Sequence, residues 1–111
     1  MPIVTVSHKA SAAESVLDDL RLQLPEIVSR ALDCPEAPYD GHLRPGDVNL
    51  RFVAALEDGL DYLIEVRTSW TRSRSENLQG RTDEVRAALA KLGLTSFGVW
   101  IEIPSAAWSQ T

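Results

Sequence analysis

The sequence predicts an α/β chain in which a strand, a helix and a strand follow one another twice. Three observations carry that expectation. Alternating or β-branched apolar residues mark strands near the start, in the middle and at the end. Two runs with apolar residues at three- and four-residue steps mark helices between those strands. Each helical run is preceded by an S-x-x-E tetrapeptide, the spacing of a capping box.

Taken in order, Ile3 to Val6 reads as a short buried strand. "SAAE" at Ser11 to Glu14 predicts a helix start, and Val16, Leu17, Leu20, Leu24, Ile27, Val28, Ala31 and Leu32 fall on one helical face. Pro25 lacks an N–H and crowds the preceding turn, so it predicts a kink or a split. "CPEAPYDGHLRPGD" reads as the loop that follows. Val48, Leu50, Phe52, Ala54 and Leu56 alternate as a half-buried strand, "EDG" is a turn, and "DYLIEVRT" opens the third strand.

The second half repeats the plan. A second S-x-x-E at Ser73 to Glu76 precedes Leu78, Val85, Leu89 and Leu92 on one helical face, and Gly93 is placed to end that helix. Phe97, Val99, Ile101 and Ile103 alternate as the last strand. A single domain over 1–111 is expected, with an internal repeat of 2–56 and 60–103. Two parallel βαβ halves related by a pseudo-twofold axis fit this string. Interleaved strands, as in ferredoxin-like domains, fit it equally well.

Composition narrows the function. The 111 residues suffice for one core. Sixteen acidic residues against 11 basic ones give a net charge of −5, which argues against a nucleic-acid partner. No apolar run approaches the roughly 20 residues of a membrane span, so no membrane partner is expected. The lone Cys34 rules out an internal disulfide and suits a reducing cytoplasm. His8 and His42 have no ligand-spaced partners, so no metal is expected, and no nucleotide or phosphate-loop motif calls for a cofactor. "RTSWTRSR" brings Arg67, Arg72 and Arg74 together without an acid, which reads either as a solvated turn or as a cationic patch suited to a small anion. "MPIVTV" places Pro2 where proline is tolerated as the first residue of a strand. Removal of Met1 would make it a free secondary amine.

"MPIVTV", "TRSRSENLQGR" and "VWIEIPSAAWSQ", in that order, resemble the tautomerase superfamily, which includes 4-oxalocrotonate tautomerase and macrophage migration inhibitory factor. Arg-x-Arg-Ser-Glu at Arg72 to Glu76 looks most like malonate semialdehyde decarboxylase. "DGLDYLIEV" is similar to a strand of 5-carboxymethyl-2-hydroxymuconate isomerase. The first half lacks the family's Gly-Arg-Ser turn, and "SQT" stands where a glycine-rich tail is usual.

The resemblance implies a four-stranded mixed sheet with two helices on one face, assembled as a homotrimer. It implies a cofactor-independent enzyme acting on a small keto or enol carboxylate. Pro2 would be the general base, Arg72 and Arg74 would hold the carboxylate and the developing enolate, and Trp108 would line the site. A decarboxylase or hydratase using protonated Pro2 is the alternative enzyme. A non-catalytic, ferredoxin-like anion-binding domain is the alternative of another class. Trp70 and Trp100 read as packing or interface residues, and Glu102 and Arg51 as the polar side of their strands. Tyr39 and Asp40 lie where the decarboxylase has an activating acid, at a different spacing.

Overall fold

The computed structural model describes residues 2–36 and 42–104. Its elements are β1 (Ile3–Lys9), α1 (Glu14–Leu32), a 3-10 turn (Pro45–Asp47), β2 (Asn49–Leu56), β3 (Tyr62–Arg67), α2 (Arg72–Glu76), α3 (Leu78–Lys91) and β4 (Phe97–Glu102). The strands form one mixed sheet in the order β2-β1-β3-β4. β1 pairs parallel with β2, β3 pairs parallel with β4, and β1 and β3 run antiparallel at the centre. Each half is therefore a parallel βαβ unit. That pairing excludes the interleaved, ferredoxin-like arrangement and favours the arrangement of two parallel halves.

Alternation assigns the two faces. Val4, Val6, Tyr62, Ile64, Val66 and Ile101 are buried and share a core with Leu17, Leu20, Leu24, Val28, Leu32, Val85 and Leu89 of the helices. Each such side chain contributes about 1.5–3 kcal/mol on burial, which fixes register, because a one-residue slip would turn a whole strand inside out. On the other face stand Ile3, Thr5 and Ser7 of β1, Leu63, Glu65 and Arg67 of β3, and Arg51 and Trp100 of the edge strands.

Three expectations about the helices change. The first capping box does not form: α1 begins at Glu14 behind Ala13, with no side-chain cap. Ser11 is used instead in a turn closed by the Ala12 N–H on the Lys9 carbonyl (3.0 Å). Pro25 does not split α1, which runs unbroken past it; Leu24 and Val28 on either side are fully buried and hold both turns to the sheet. The second capping box is also displaced. Thr71, not Ser73, caps α2, its Oγ1 accepting from the Arg74 N–H (3.0 Å), while Glu76 reaches the Arg72 side chain. Asn77, at φ −130° and ψ 33°, then separates α2 from α3, giving three α-helices rather than two among the described residues. Gly93 ends α3 as expected. Its φ of +90° lets its N–H reach the Ala90 carbonyl (3.0 Å) and the Leu94 N–H reach Leu89 (3.3 Å).

Candidate functional site

The register of β1 determines what surrounds Pro2. Ile3 faces Asn49 on one side and Arg67 on the other, and Arg67 faces Glu102. The starts of β1 and β2 and the ends of β3 and β4 therefore meet at one end of the sheet. Pro2 is fully buried there, and its carbonyl accepts the Asn49 N–H at 2.9 Å. As the residue before an inner strand it forfeits no ladder N–H.

The three arginines have different surroundings and do not share one cationic patch. Arg67 lies on the uncovered face, its Nε 3.4 Å from Glu102 Oε1. Arg72 is exposed and pairs with Glu76 one turn on (3.0 Å). Arg74 is 0% exposed. Its Nε donates to the Leu32 carbonyl (2.9 Å), and its Nη1 to the Ser69 carbonyl and hydroxyl (3.0 and 3.1 Å). A buried guanidinium is costly unless its donors are matched. Here the last carbonyls of α1, the negative end of that helix, take up the charge.

Arg81 does the same from α3 and carries no signal in the sequence, where it reads as one more polar residue on a helix. Its Nη1 donates to the carbonyls of Ala31 and Asp33 (2.9 and 3.1 Å), and its Nη2 to Ser73 Oγ (3.1 Å). Beside it, Asp33 Oδ1 accepts from the Leu43 N–H (2.9 Å) and from His42 Nδ1 (3.0 Å). The Leu43 bond above all, with help from His42 and the nearby Arg74 charge, holds the Asp33 carboxyl below its usual range despite the opposing effect of partial burial. Two arginines and one aspartate thus fix the end of α1 against the segment that leads to Pro2's neighbours.

The remaining expected residues fall out as follows. Trp108, Tyr39 and Asp40 lie outside the described residues. Trp70 and Trp100 are 57% and 60% exposed, so neither packs in the protomer's core. Arg51 and Glu102 stand on the uncovered face, Arg51 donating to Thr5 Oγ1 (2.7 Å). His8 is buried and donates from Nδ1 to the Lys9 carbonyl (2.8 Å). No metal-holding group of His, Cys, Asp or Glu occurs among the described residues, and no described helix is long and apolar enough to cross a membrane. A groove of about 190 Å³ between Leu20, Asp61, Tyr62 and Leu94 lies at the opposite end of the sheet. Tyr62 faces His8 there, five residues from Ile3, or about 17 Å along the strand.

No family model and no curated protein matches the sequence. Solved structures do. A macrophage migration inhibitory factor-like protein from Entamoeba histolytica is similar at a TM-score of 0.63 and 13% identity, over 99% of this chain and 95% of that one. A fused 4-OT, described as a wild-type asymmetric trimer, is similar at 0.55 and 17%, over 92% and 85%. A malonate semialdehyde decarboxylase inhibited by 3-bromopropiolate is similar at 0.55 and 12%, over 93% and 83%. At such identities the shared property is the arrangement of the chain. The protein has the fold of these tautomerase-superfamily structures, the fold that its three quoted stretches resemble.

Proposed function

We propose that the protein is a cofactor-independent tautomerase that uses Pro2, freed by removal of Met1, as general base on a small keto or enol carboxylate. The observation that carries this reading is the placement of Pro2: buried, at the start of an inner strand, at the end of the sheet from which the chain leaves β3 for α2. A secondary amine is ordinarily protonated near neutral pH. Burial and a nearby cation both disfavour the ammonium form; in this reading the buried Arg74 supplies the cation. The neutral amine takes a proton from the carbon beside the carbonyl and returns it to the other end of the enolate. General acid–base help of this kind is worth about 10²–10⁴-fold. A decarboxylase or hydratase of the same fold would instead use the protonated form of the same nitrogen.

Arg72 and Arg74 divide the electrostatic work in this reading. Arg72 is exposed and free to exchange Glu76 for a substrate carboxylate, which its planar fork binds through two hydrogen bonds. Arg74, held inside the protein, supplies a positive field that steadies the developing enolate. Trp108, through the resemblance alone, closes the pocket. A reducing, cytoplasmic compartment suits the buried free Cys34. The uncovered sheet face and the fused trimer's likeness support assembly as a homotrimer.

The test begins with the intact mass of protein from its natural host, followed by phenylpyruvate ketonisation on that sample. Loss of Met1, with kcat/KM reduced at least about 100-fold by Pro2→Ala, is the expected result. Turnover by protein that retains Met1, or turnover indifferent to Pro2→Ala, overturns the reading.

A further inference from the structure

Thr68 is a buried group that the chemistry above leaves unused. It follows β3 directly, is 5% exposed, and donates its backbone N–H to the Glu102 carbonyl (3.2 Å). Its Oγ1 is buried without a hydrogen-bond partner among the described residues. An unpaired buried hydroxyl destabilises a fold, and an apolar side chain of the same shape would avoid that cost. Such a group calls for a reason to be there.

The register supplies one. Val4 faces Val66 and Ile3 faces Arg67 in the antiparallel pair; one step further along that register, Pro2 comes opposite Thr68. Both residues are buried, in phase with Val4 and Val66 on the helix-covered face. Directly opposed residues in an antiparallel pair hold their Cβ atoms about 4.5–5.5 Å apart. While Met1 is attached, the Pro2 nitrogen is an amide without a hydrogen. Once Met1 is removed, it carries one hydrogen when neutral and two when protonated. The new donor and the unpaired hydroxyl are each what the other lacks.

We propose that the Thr68 hydroxyl accepts a hydrogen bond from the freed Pro2 amine and positions it, leaving the nitrogen lone pair turned towards the substrate. The inference rests on the reading of Pro2 as an amino-terminal base. Thr68 makes no covalent bond and acts through Pro2, as a positioning residue. The hydroxyl favours the protonated amine most, because a bond to a charged donor is the stronger one. It therefore also sets the pH at which the base becomes available.

Thr68→Val and Thr68→Ser test this in two ways. In the first, thermal stability is compared between processed protein and protein made with methionine aminopeptidase inhibited, which keeps Met1. Thr68→Val is expected to raise the melting temperature of the form with Met1, where the hydroxyl is unpaired, and to lower that of the processed form. In the second, Thr68→Val is expected to lower kcat/KM roughly 10- to 100-fold, the scale on which a misplaced catalytic group loses rate. Its acid limb moves to lower pH, and Thr68→Ser restores both. Equal stability changes in the two forms overturn the inference outright. A wild-type acid limb and kcat/KM in Thr68→Val, with turnover still abolished by Pro2→Ala, overturn it while leaving the base standing. Should wild-type protein show no Pro2-dependent turnover, the base reading fails, and the stability comparison alone decides whether Thr68 meets the amine.

Discussion

At Arg74 a residue that looks like a ligand-binding arginine is also a strut. Its guanidinium reaches the Leu32 carbonyl, 42 positions back in the chain, and both oxygens of Ser69. Arg74→Met would leave those acceptors buried beside a neutral side chain. We expect it to destabilise the fold by about 2–4 kcal/mol, on the scale of breaking a buried charged network, read as a lower urea midpoint. Arg74→Lys should fall between, since an ammonium keeps the charge but not the fork. An unchanged midpoint in Arg74→Met would show that the strut carries nothing. The Arg-x-Arg-Ser-Glu spacing makes Arg74 visible in the sequence as a candidate. Its burial is not visible there, because its acceptors come from a distant helix end. Arg81 is invisible for the same reason.

Among the elements, α1 shows where periodicity informs and where it stops. Leu17, Leu20, Leu24 and Val28 announce both the helix and its buried face. Its ends were decided by neighbours: Ser11 was drawn into the turn after β1, and the last carbonyls were taken by Arg74 and Arg81. Asp33 closes that end by holding Leu43 and His42. Because its carboxyl lies below the ordinary value in the folded chain, the stabilisation it gives is complete above the unfolded carboxyl pKa. It is lost as the pH falls through and below that value. Asp33→Asn keeps an oxygen acceptor but no charge. We expect it to cost about 1 kcal/mol at neutral pH, the difference between a charged and a neutral hydrogen bond. As the pH falls below the ordinary carboxyl value near about 4 the gap should narrow, and it closes only once the pH has passed the lower folded value, because wild type alone loses the Asp33 contribution. Chemical denaturation at several pH values measures it, and a gap that stays constant with pH would count against the Asp33 charge.

For the whole molecule, alternation in each strand fixed which residues are buried, but not which strands pair. "VNLRFVAAL" reads as the same half-buried strand whether it lies parallel or antiparallel to "IVTV", so the parallel pairing of each half needed the structure or the resemblance to decide it. What remains is a sheet that, among the described residues, is covered on one side only. Ile3, Val53 and Trp100 are 42%, 41% and 60% exposed, and β2 and β4 are the outer strands of the sheet among the described residues. An apolar, open-edged sheet is an association surface. The proposed homotrimer predicts a light-scattering mass three times the 12.2 kDa of the chain. Trp100 has little to lose within the protomer, so Trp100→Glu should leave far-UV dichroism and the melting of an isolated chain nearly intact while driving the mass towards one chain. A variant that keeps the wild-type mass would remove β4 from the contact. Wild-type protein that scatters as a single chain would remove the trimer, and with it any reading in which a neighbouring subunit completes the pocket beside Pro2.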